Sequence, residues 1–303
     1  MKTTVISLAA WIALVCSAAE AETRMIALTF DDAPRQSSVH FDGATRAAKL
    51  IAALDAAEVP QVAFFCNTER FDASGMARIE AYAEAGHLIA NHSHTHLDLH
   101  RAGAERFLAD VRAADAVLRN VTNRRKWFRY PYLHEGQTAE ERDLVRHALK
   151  SMEYLSAYVT IDNYDWYMDA LFQEAVRDGK TIDFDRLRET YVDLLAQSIE
   201  FYDGLSREQL GRSPRHVLLL HENDLAALYI GDLAARLRRE GWEIISPELA
   251  YSDPIAATEP NTLALGQGRV VAIAAENGYQ GPTRRWEDEE KLKAEFNRRG
   301  VWR

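Results

Sequence analysis

The chain has 303 residues, of which 47% are hydrophobic and 27% are charged, and its formal net charge is −10. This composition predicts a globular protein with a large core rather than a disordered chain. The negative charge argues against a protein that binds duplex nucleic acid, because such proteins gain most of their affinity by neutralising phosphates with Lys and Arg.

The first 21 residues have the pattern of a secretory signal peptide. Lys2 precedes an apolar stretch at 5–15, and small residues flank the glutamate of 19–21, as in the charged, apolar and cleavage regions of such peptides. The apolar stretch is well short of the ~20 residues that a spanning helix needs. We therefore expect a mature chain that begins near Glu22, has no membrane span, and is periplasmic or secreted.

Short apolar runs alternate with amphipathic segments over most of the remaining chain. Runs that are apolar throughout indicate strands covered on both faces, and the alternation of strand and helix predicts a parallel sheet. The pattern fits a barrel-like (β/α) array of about seven strands. The predicted strands are 25–30, 61–66, 87–91, 126–130, 156–161, 216–221 and 242–246, and the helical patterns include 44–57, 102–118, 139–150 and 225–239.

The regular alternation breaks twice. Residues 167–215 contain helical pattern only, clearest at 185–205, and we interpret them as a helical insertion within a domain of residues 22–254. Residues 255–303 lose the alternation, and we interpret them as a C-terminal extension that packs on the barrel. A short charged helix is predicted at 288–299.

Polar residues concentrate where the predicted strands end. They are Asp31 and Asp32 after the first strand, 91–96 (NHSHTH) after the third, 129–132 (RYPY) at the fourth, 162–166 (DNYDW) after the fifth, and His221 at the end of the sixth. In parallel α/β arrays the carboxyl ends of the strands carry the active site. Five polar clusters are therefore expected to meet on one rim.

Each cluster also has a structural interpretation. The adjacent aspartates suit a turn or a helix cap, although two carboxylates can instead divide the roles of metal ligand and free base. His221 could be a core histidine, Arg129 one half of a buried ion pair, and Asp165-Trp166 a helix cap with a core aromatic.

The HSHTH segment favours a metal site, because three histidines within five residues are unusual. On a helical turn, His92 and His96 would share one face and His94 would point elsewhere. On a continued strand, all three side chains would point the same way. The spacing alone leaves both interpretations open.

Taken in order, five motifs resemble the polysaccharide deacetylase family, also called the NodB homology or family-four carbohydrate esterases. The resemblance covers about residues 25–250, and its motifs are TFDDAP, HSHTH, RYPY, DNYDW and LLH. It implies a distorted (β/α) barrel that holds one divalent metal ion, most often Zn²⁺. The ligands carried over are Asp32, His92 and His96, with His94 as a non-ligand.

The same resemblance implies catalytic roles. Asp31 would be the general base, held by Arg129, and His221 the general acid, tuned by Asp165. Three further residues would contact substrate: the backbone N–H of Tyr132 would stabilise the oxyanion, and Trp166 and Leu219 would line the pocket for the acetyl methyl group.

The resulting expectation is an exported, metal-dependent hydrolase that removes N-acetyl groups from an amino-sugar polysaccharide or oligosaccharide and releases acetate. An O-acetyl esterase or another amide or imide hydrolase on the same metal site is the alternative, and a non-catalytic glycan-binding protein is a third. The chain departs from many family members at Glu222, where they have aspartate, and in the insertion 167–215. The glycan and the oligomeric state are not predicted.

Overall fold

The computed structural model describes residues 23–263 and 266–303. The predicted signal peptide, 1–21, lies outside these described residues. Among the helices that are described, none is both long and apolar enough to span a membrane.

One parallel sheet forms the centre of the fold. Its strand order is β5-β4-β3-β2-β1-β6, and β7 pairs with the start of β1. The prediction of about seven parallel strands is confirmed. The strands are β1 (Arg24–Ala33), β2 (Ala63–Cys66), β3 (Leu88–Asn91), β4 (Arg124–Phe128), β5 (Leu155–Ser156), β6 (His216–His221) and β7 (Trp242–Ile244).

The fifth strand is much shorter than the predicted 156–161. Leu155–Ser156 pair with β4, whereas Ile161, further along the same segment, bridges to Leu218 of β6. A segment that changes partner between its two ends cannot keep one continuous ladder of hydrogen bonds. It does link the two edges of the sheet, so the sheet curls into the distorted (β/α) barrel that the motifs implied.

Helices surround the sheet. Most begin at a side-chain cap, such as Asp42, whose carboxylate accepts a hydrogen bond of 2.6 Å from the backbone N–H of Thr45. The described residues contain α1 (Gly43–Ala56), α2 (Ala73–Glu84), α3 (Leu99–Ala102), α4 (Ala104–Leu118), α5 (Ala139–Ser151), α6 (Asp165–Arg177), α7 (Phe184–Leu210), α8 (Asp224–Arg239), α9 (Pro247–Ala250), α10 (Arg269–Glu276) and α11 (Glu289–Arg299).

The inner strands β2 and β3 are buried on both faces, and β1 and β6 are nearly so, as their apolar sequences predicted. Every residue of β2 is buried, and Phe64 stacks between Phe30 of β1 and Tyr82 of α2. Cys66 is a free cysteine at the end of β2, and burial raises the pKa of its thiol well above the usual value. The cysteine is therefore a protonated core residue.

The segment between β5 and β6 is helical, as predicted, and consists mainly of α6 and the long α7. The C-terminal residues pack against these two helices, since α10 and α11 contact α7 and α11 also contacts α6. Leu292 and Phe296 of α11 are fully buried. The extension therefore lies largely on the helical segment rather than directly on the strands.

Replacing Phe296 by alanine is expected to destabilise the protein by about 3–5 kcal/mol, the usual cost of removing a buried phenylalanine side chain. Phe184 is the matched control, because 45% of its surface is exposed, and its replacement by alanine should cost clearly less. Chemical unfolding of both variants measures the difference. Equal and small losses of unfolding free energy in the two variants would show that the C-terminal extension does not unfold with the barrel.

Candidate active site

The two adjacent aspartates lie near the end of β1, and both line one open cleft. Consecutive side chains of a regular strand point to opposite faces, but Asp32 has a left-handed backbone with φ of 69°. This break in the strand pattern lets both carboxylates face the same cleft. Neither caps α1, whose N-cap is Asp42, so helix capping does not account for the pair.

The three histidines of the HSHTH motif lie in the loop between β3 and α3, which is neither a helical turn nor a continued strand. His92 and His96 approach Asp32, and His96 also has a left-handed φ, of 57°. His94 instead places Nδ1 at 2.8 Å from the hydroxyl of Thr68. The loop therefore brings two of the three histidines to the aspartate.

Asp32, His92 and His96 form a group in which the candidate ligand atoms all lie within 4.8 Å of one another. Asp32 Oδ1 is 3.4 Å from His96 Nε2 and 4.0 Å from His92 Nε2. Nδ1 of His92 lies 2.9 Å from the carbonyl oxygen of Arg129, the kind of contact that fixes the tautomer and leaves Nε2 free to bind a metal.

The donor set fits a divalent cation. Asp32 Oδ1 is buried without a hydrogen-bond partner, and an unpaired buried acceptor is costly unless something else neutralises it. Burial, aided by the charge of His92, lowers the pKa of His96 to about 4, so its imidazole is neutral and can donate a lone pair. Burial opposes ionisation of Asp32, but the surrounding histidines lower its pKa below the usual range. One carboxylate with two imidazoles suits a catalytic zinc site.

Arg129 and Asp31 form a buried pair beside this group. Arg129 Nη1 donates to Asp31 Oδ1 at 2.6 Å and to the hydroxyl of Thr29 at 2.8 Å. The remaining donors reach the carbonyl of Ala157 and the hydroxyl of Tyr251. Asp31 Oδ2 lies 3.7 Å from His92 Nε2. The arginine thus holds one carboxylate oxygen, and the other faces His92.

His221 and Asp165 form the second pair. His221 ends β6, opposite Asp31 in the strand register, and Asp165 is the first residue of α6. Asp165 Oδ1 is 2.6 Å from His221 Nδ1, and Oδ2 accepts from the backbone N–H of His221 and the amide of Asn223, both at 2.9 Å. Although burial opposes protonation, the charge of Asp165 raises the pKa of His221 above its usual value.

The predicted substrate residues also lie at the cleft, whose volume is about 490 Å³. Tyr132 is 53% exposed and has a left-handed φ of 59°, and its ring packs edge-on against His96. Trp166 is half-buried at the start of α6, and Leu219 is buried in β6. The fold thus brings eight of the ten predicted site residues to the lining of this cleft, and the other two, Arg129 and Asp165, are hydrogen-bonded to Asp31 and His221.

Three further residues of the cleft were not predicted from the sequence. Asp162 lines the cleft, and burial, together with the charge of Glu287, raises its pKa to about 8. Arg35 and Arg284 also line the cleft. The position of Asp162 in the DNYDW motif was the available signal for that residue. Arg284 lies far along the chain from every motif, so it could be found from the fold alone.

Asp98, His100 and His134 form a second cluster near the cleft. Asp98 Oδ1 is 2.8 Å from His134 Nδ1, and the two imidazoles stack at 3.8 Å with an interplanar angle of 7°. Imidazole lone pairs lie in the ring plane, so nearly parallel rings do not aim at a common point. This arrangement indicates a local hydrogen-bonded stack rather than a second metal centre.

Part of the chain matches a known protein family. Residues 18–155 match the family model described as polysaccharide deacetylase. The resemblance to this family is thereby confirmed, and the matched part of the chain contains three of the five motifs, TFDDAP, HSHTH and RYPY. No curated protein matches the chain significantly.

Solved structures with the same fold include three Bacillus proteins. Peptidoglycan deacetylase PdaC from Bacillus subtilis is 19% identical (TM-score 0.50; 76% of this chain, 90% of that one). Polysaccharide deacetylase Bc1974 from Bacillus cereus is 18% identical (TM-score 0.51; 73% and 90%). BA3943, a CE4 family pseudoenzyme from Bacillus anthracis, is 16% identical (TM-score 0.53; 76% and 66%).

Proposed function

We propose that this protein is an exported, metal-dependent hydrolase that removes N-acetyl groups from an amino-sugar polysaccharide or oligosaccharide and releases acetate. The proposal rests on one observation: two hydrogen-bonded pairs of charged side chains lie beside the Asp-His-His group. Arg129 holds Asp31 at 2.6 Å, Asp165 holds His221 at 2.6 Å, and both pairs open to the cleft that contains Asp32, His92 and His96.

A divalent ion held by Asp32, His92 and His96 would polarise the acetyl carbonyl and make water more acidic, which is the chemistry that such ions supply in hydrolases. Asp31 takes the proton from the attacking water, with its free oxygen directed to the cleft. Because Arg129 occupies the other oxygen, the carboxylate keeps one orientation throughout. Proton transfer of this kind contributes typically about 10²- to 10⁴-fold to the rate.

Hydrolysis of an amide must also release an amine. The bond from the carbonyl carbon to nitrogen breaks, and the nitrogen needs a proton because an amide anion is a very poor leaving group. His221 supplies that proton. Asp165 supports the role in two ways: it orients the imidazole through Nδ1, and its charge keeps His221 protonated to higher pH.

Replacing Asp165 by asparagine should lower the pKa of His221, because the carboxylate charge that raises it is lost. An acid must be protonated to act, so the alkaline limb of the kcat/KM profile should move to lower pH. Rates of acetate release across pH, with an NMR titration of His221, measure both shifts. Asp185 on α7 is mostly exposed and serves as control. An unchanged alkaline limb in the Asp165→Asn variant would show that His221 is not the general acid.

The resemblance to the polysaccharide deacetylase family supports a hydrolase acting on acetylated glycans, but it does not separate N-acetyl from O-acetyl substrates. Free acetate should be measured from N-acetylated and O-acetylated oligosaccharides of the same length, using zinc-loaded protein. We expect release from the N-acetylated series. Release from O-acetylated oligosaccharides alone would favour the esterase alternative.

Export is proposed from the signal-peptide pattern of residues 1–21, and sequencing the N-terminus of the mature protein tests it. The division into a domain of residues 22–254 and an extension of 255–303 is also a proposal. Gly266 and Arg284 of the extension line the cleft, which supports a direct part for the extension in substrate binding.

A further inference from the structure

Two arginines line the cleft without an assigned role. Arg35 follows the TFDDAP motif at the end of β1, and Arg284 belongs to the C-terminal extension. They reach the cleft from opposite ends of the chain. Among the described residues, neither guanidinium has a carboxylate within 4.0 Å, unlike that of Arg129, which is paired with Asp31.

The backbone of Arg35 is firmly held. Its N–H donates to Oε2 of the fully buried Glu222 at 2.6 Å, and its carbonyl accepts from Arg46 at 3.2 Å and from Arg78 at 2.5 Å. Its guanidinium, in contrast, includes a buried Nη1 with no hydrogen-bond partner. A buried donor without an acceptor costs free energy, and a rigid backbone keeps that donor in place. Such an unpaired donor on a fixed backbone is suited to bind an acceptor group of a ligand.

Arg284 is exposed at the cleft. The nearby acid is Asp162, and burial together with the charge of Glu287 raises its pKa to about 8. Glu287 is also close by, but among the described residues no carboxylate lies within 4.0 Å of the Arg284 guanidinium. The cleft therefore contains two unpaired guanidinium groups in addition to the charge of any metal ion.

We propose that the substrate is an acidic glycan, in which Arg35 and Arg284 bind carboxylate groups of sugars that flank the acetylated residue. The planar guanidinium matches a carboxylate with two parallel hydrogen bonds. The aromatic side chains of Tyr132, Tyr164 and Trp166 at the same cleft offer apolar faces for the sugar rings. This inference rests on the proposed function, since it names the substrate class of that site.

The probe is a hyaluronan oligosaccharide, in which N-acetylglucosamine alternates with glucuronate. Its matched control is the same oligosaccharide after reduction of the carboxyl groups, which keeps the linkages and the acetyl groups. Wild-type protein should release acetate from the acidic form with a kcat/KM at least about tenfold higher, given the strength of hydrogen bonds to charged groups. Equal kcat/KM values for the two forms would overturn the inference.

Substitution of the two arginines tests whether they cause the preference for the acidic over the reduced oligosaccharide. Arg35→Ala and Arg284→Ala should each raise KM for the acidic form about tenfold or more relative to its rise for the reduced form. Arg112→Ala removes the same charge from an exposed position on α4 and should leave the preference intact. A preference that persists in the Arg35→Ala, Arg284→Ala double variant would show that other groups recognise the carboxylates.

A binding measurement separates this inference from the proposed activity. Titration calorimetry with the Asp31→Asn protein compares the affinity for acidic and reduced oligosaccharides without turnover, and the difference should shrink as salt is added. If no oligosaccharide releases acetate but the acidic form still binds more tightly, the proposed function fails and the inference stands. Equal affinities would overturn the inference.

Discussion

Replacing Asp31 by asparagine is expected to lower kcat by at least about 10²- to 10⁴-fold, the usual contribution of a positioned general base. The amide oxygen of asparagine can still accept the hydrogen bond from Arg129, which spans 2.6 Å in the wild-type protein, so the site should keep its geometry. What is lost is the group that takes the proton from water.

Two measurements check this prediction together: kcat from acetate release, and the zinc content of the purified variant, which should equal that of the wild type. Asp143→Asn is the control, because the Asp143 side chain is 64% exposed and also pairs with an arginine, Arg142. Unchanged turnover in the Asp31→Asn protein would show that another group is the base. Loss of zinc would show that Asp31 is a metal ligand.

Replacing His92 by alanine should abolish stoichiometric zinc binding, and with it the activity. Removal of a residue that merely orients a ligand costs about 10- to 100-fold in metal affinity, and loss of the ligand itself should cost more. His94→Ala is the matched control from the same loop. His94 is hydrogen-bonded to Thr68 at 2.8 Å, so its loss should lower stability slightly but leave one equivalent of zinc bound.

Elemental analysis of the two histidine variants after dialysis decides between these outcomes. Full zinc content in the His92→Ala protein would show that His92 is not a metal ligand. Loss of zinc from a folded His94→Ala protein would restore the strand interpretation, in which all three histidines face the metal. Circular dichroism confirms that each variant is folded before its metal content is compared.

Local sequence patterns predicted the strands well where one strand keeps the same partners. The predicted 216–221 coincides with β6, and β1 extends the predicted 25–30 at both ends. The predicted strand 156–161 was largely wrong, because that segment leaves β4 and bridges to β6. A change of partner depends on how the sheet closes, and hydrophobic periodicity carries no information about closure.

The motifs also named the residues of the cleft but not their geometry. Nothing in TFDDAP indicates that Asp32 adopts a left-handed conformation, which is what brings both carboxylates to one side. The HSHTH spacing allowed a helix or a strand, whereas the observed loop separates His94 from its neighbours. These features depend on packing against other parts of the chain, such as Thr68 and Arg129.

Contacts between residues far apart in the sequence could not be predicted from the sequence. Arg129 was expected to need an anionic partner, and the fold supplies Asp31, but the contacts with Tyr251 and Thr29 could not be foreseen. Arg284 reaches the cleft because the C-terminal extension folds back over α7. Each of these contacts joins residues far apart in sequence, which no local pattern records.

The fold by itself does not decide whether this protein is active, because one structural neighbour, BA3943 from Bacillus anthracis, is described as a pseudoenzyme. Activity is supported instead by the side chains of this chain. Asp31 and His221 each have a charged partner, Arg129 and Asp165 respectively, at hydrogen-bonding distance.

The most direct test is a titration of zinc into metal-free protein while acetate release from an N-acetylated oligosaccharide is followed. The proposed site has one ligand group of Asp32, His92 and His96, so release should begin near zero and rise to a plateau at one equivalent of zinc. Acetate release at the same rate from metal-free protein in the presence of a chelator would contradict the proposal.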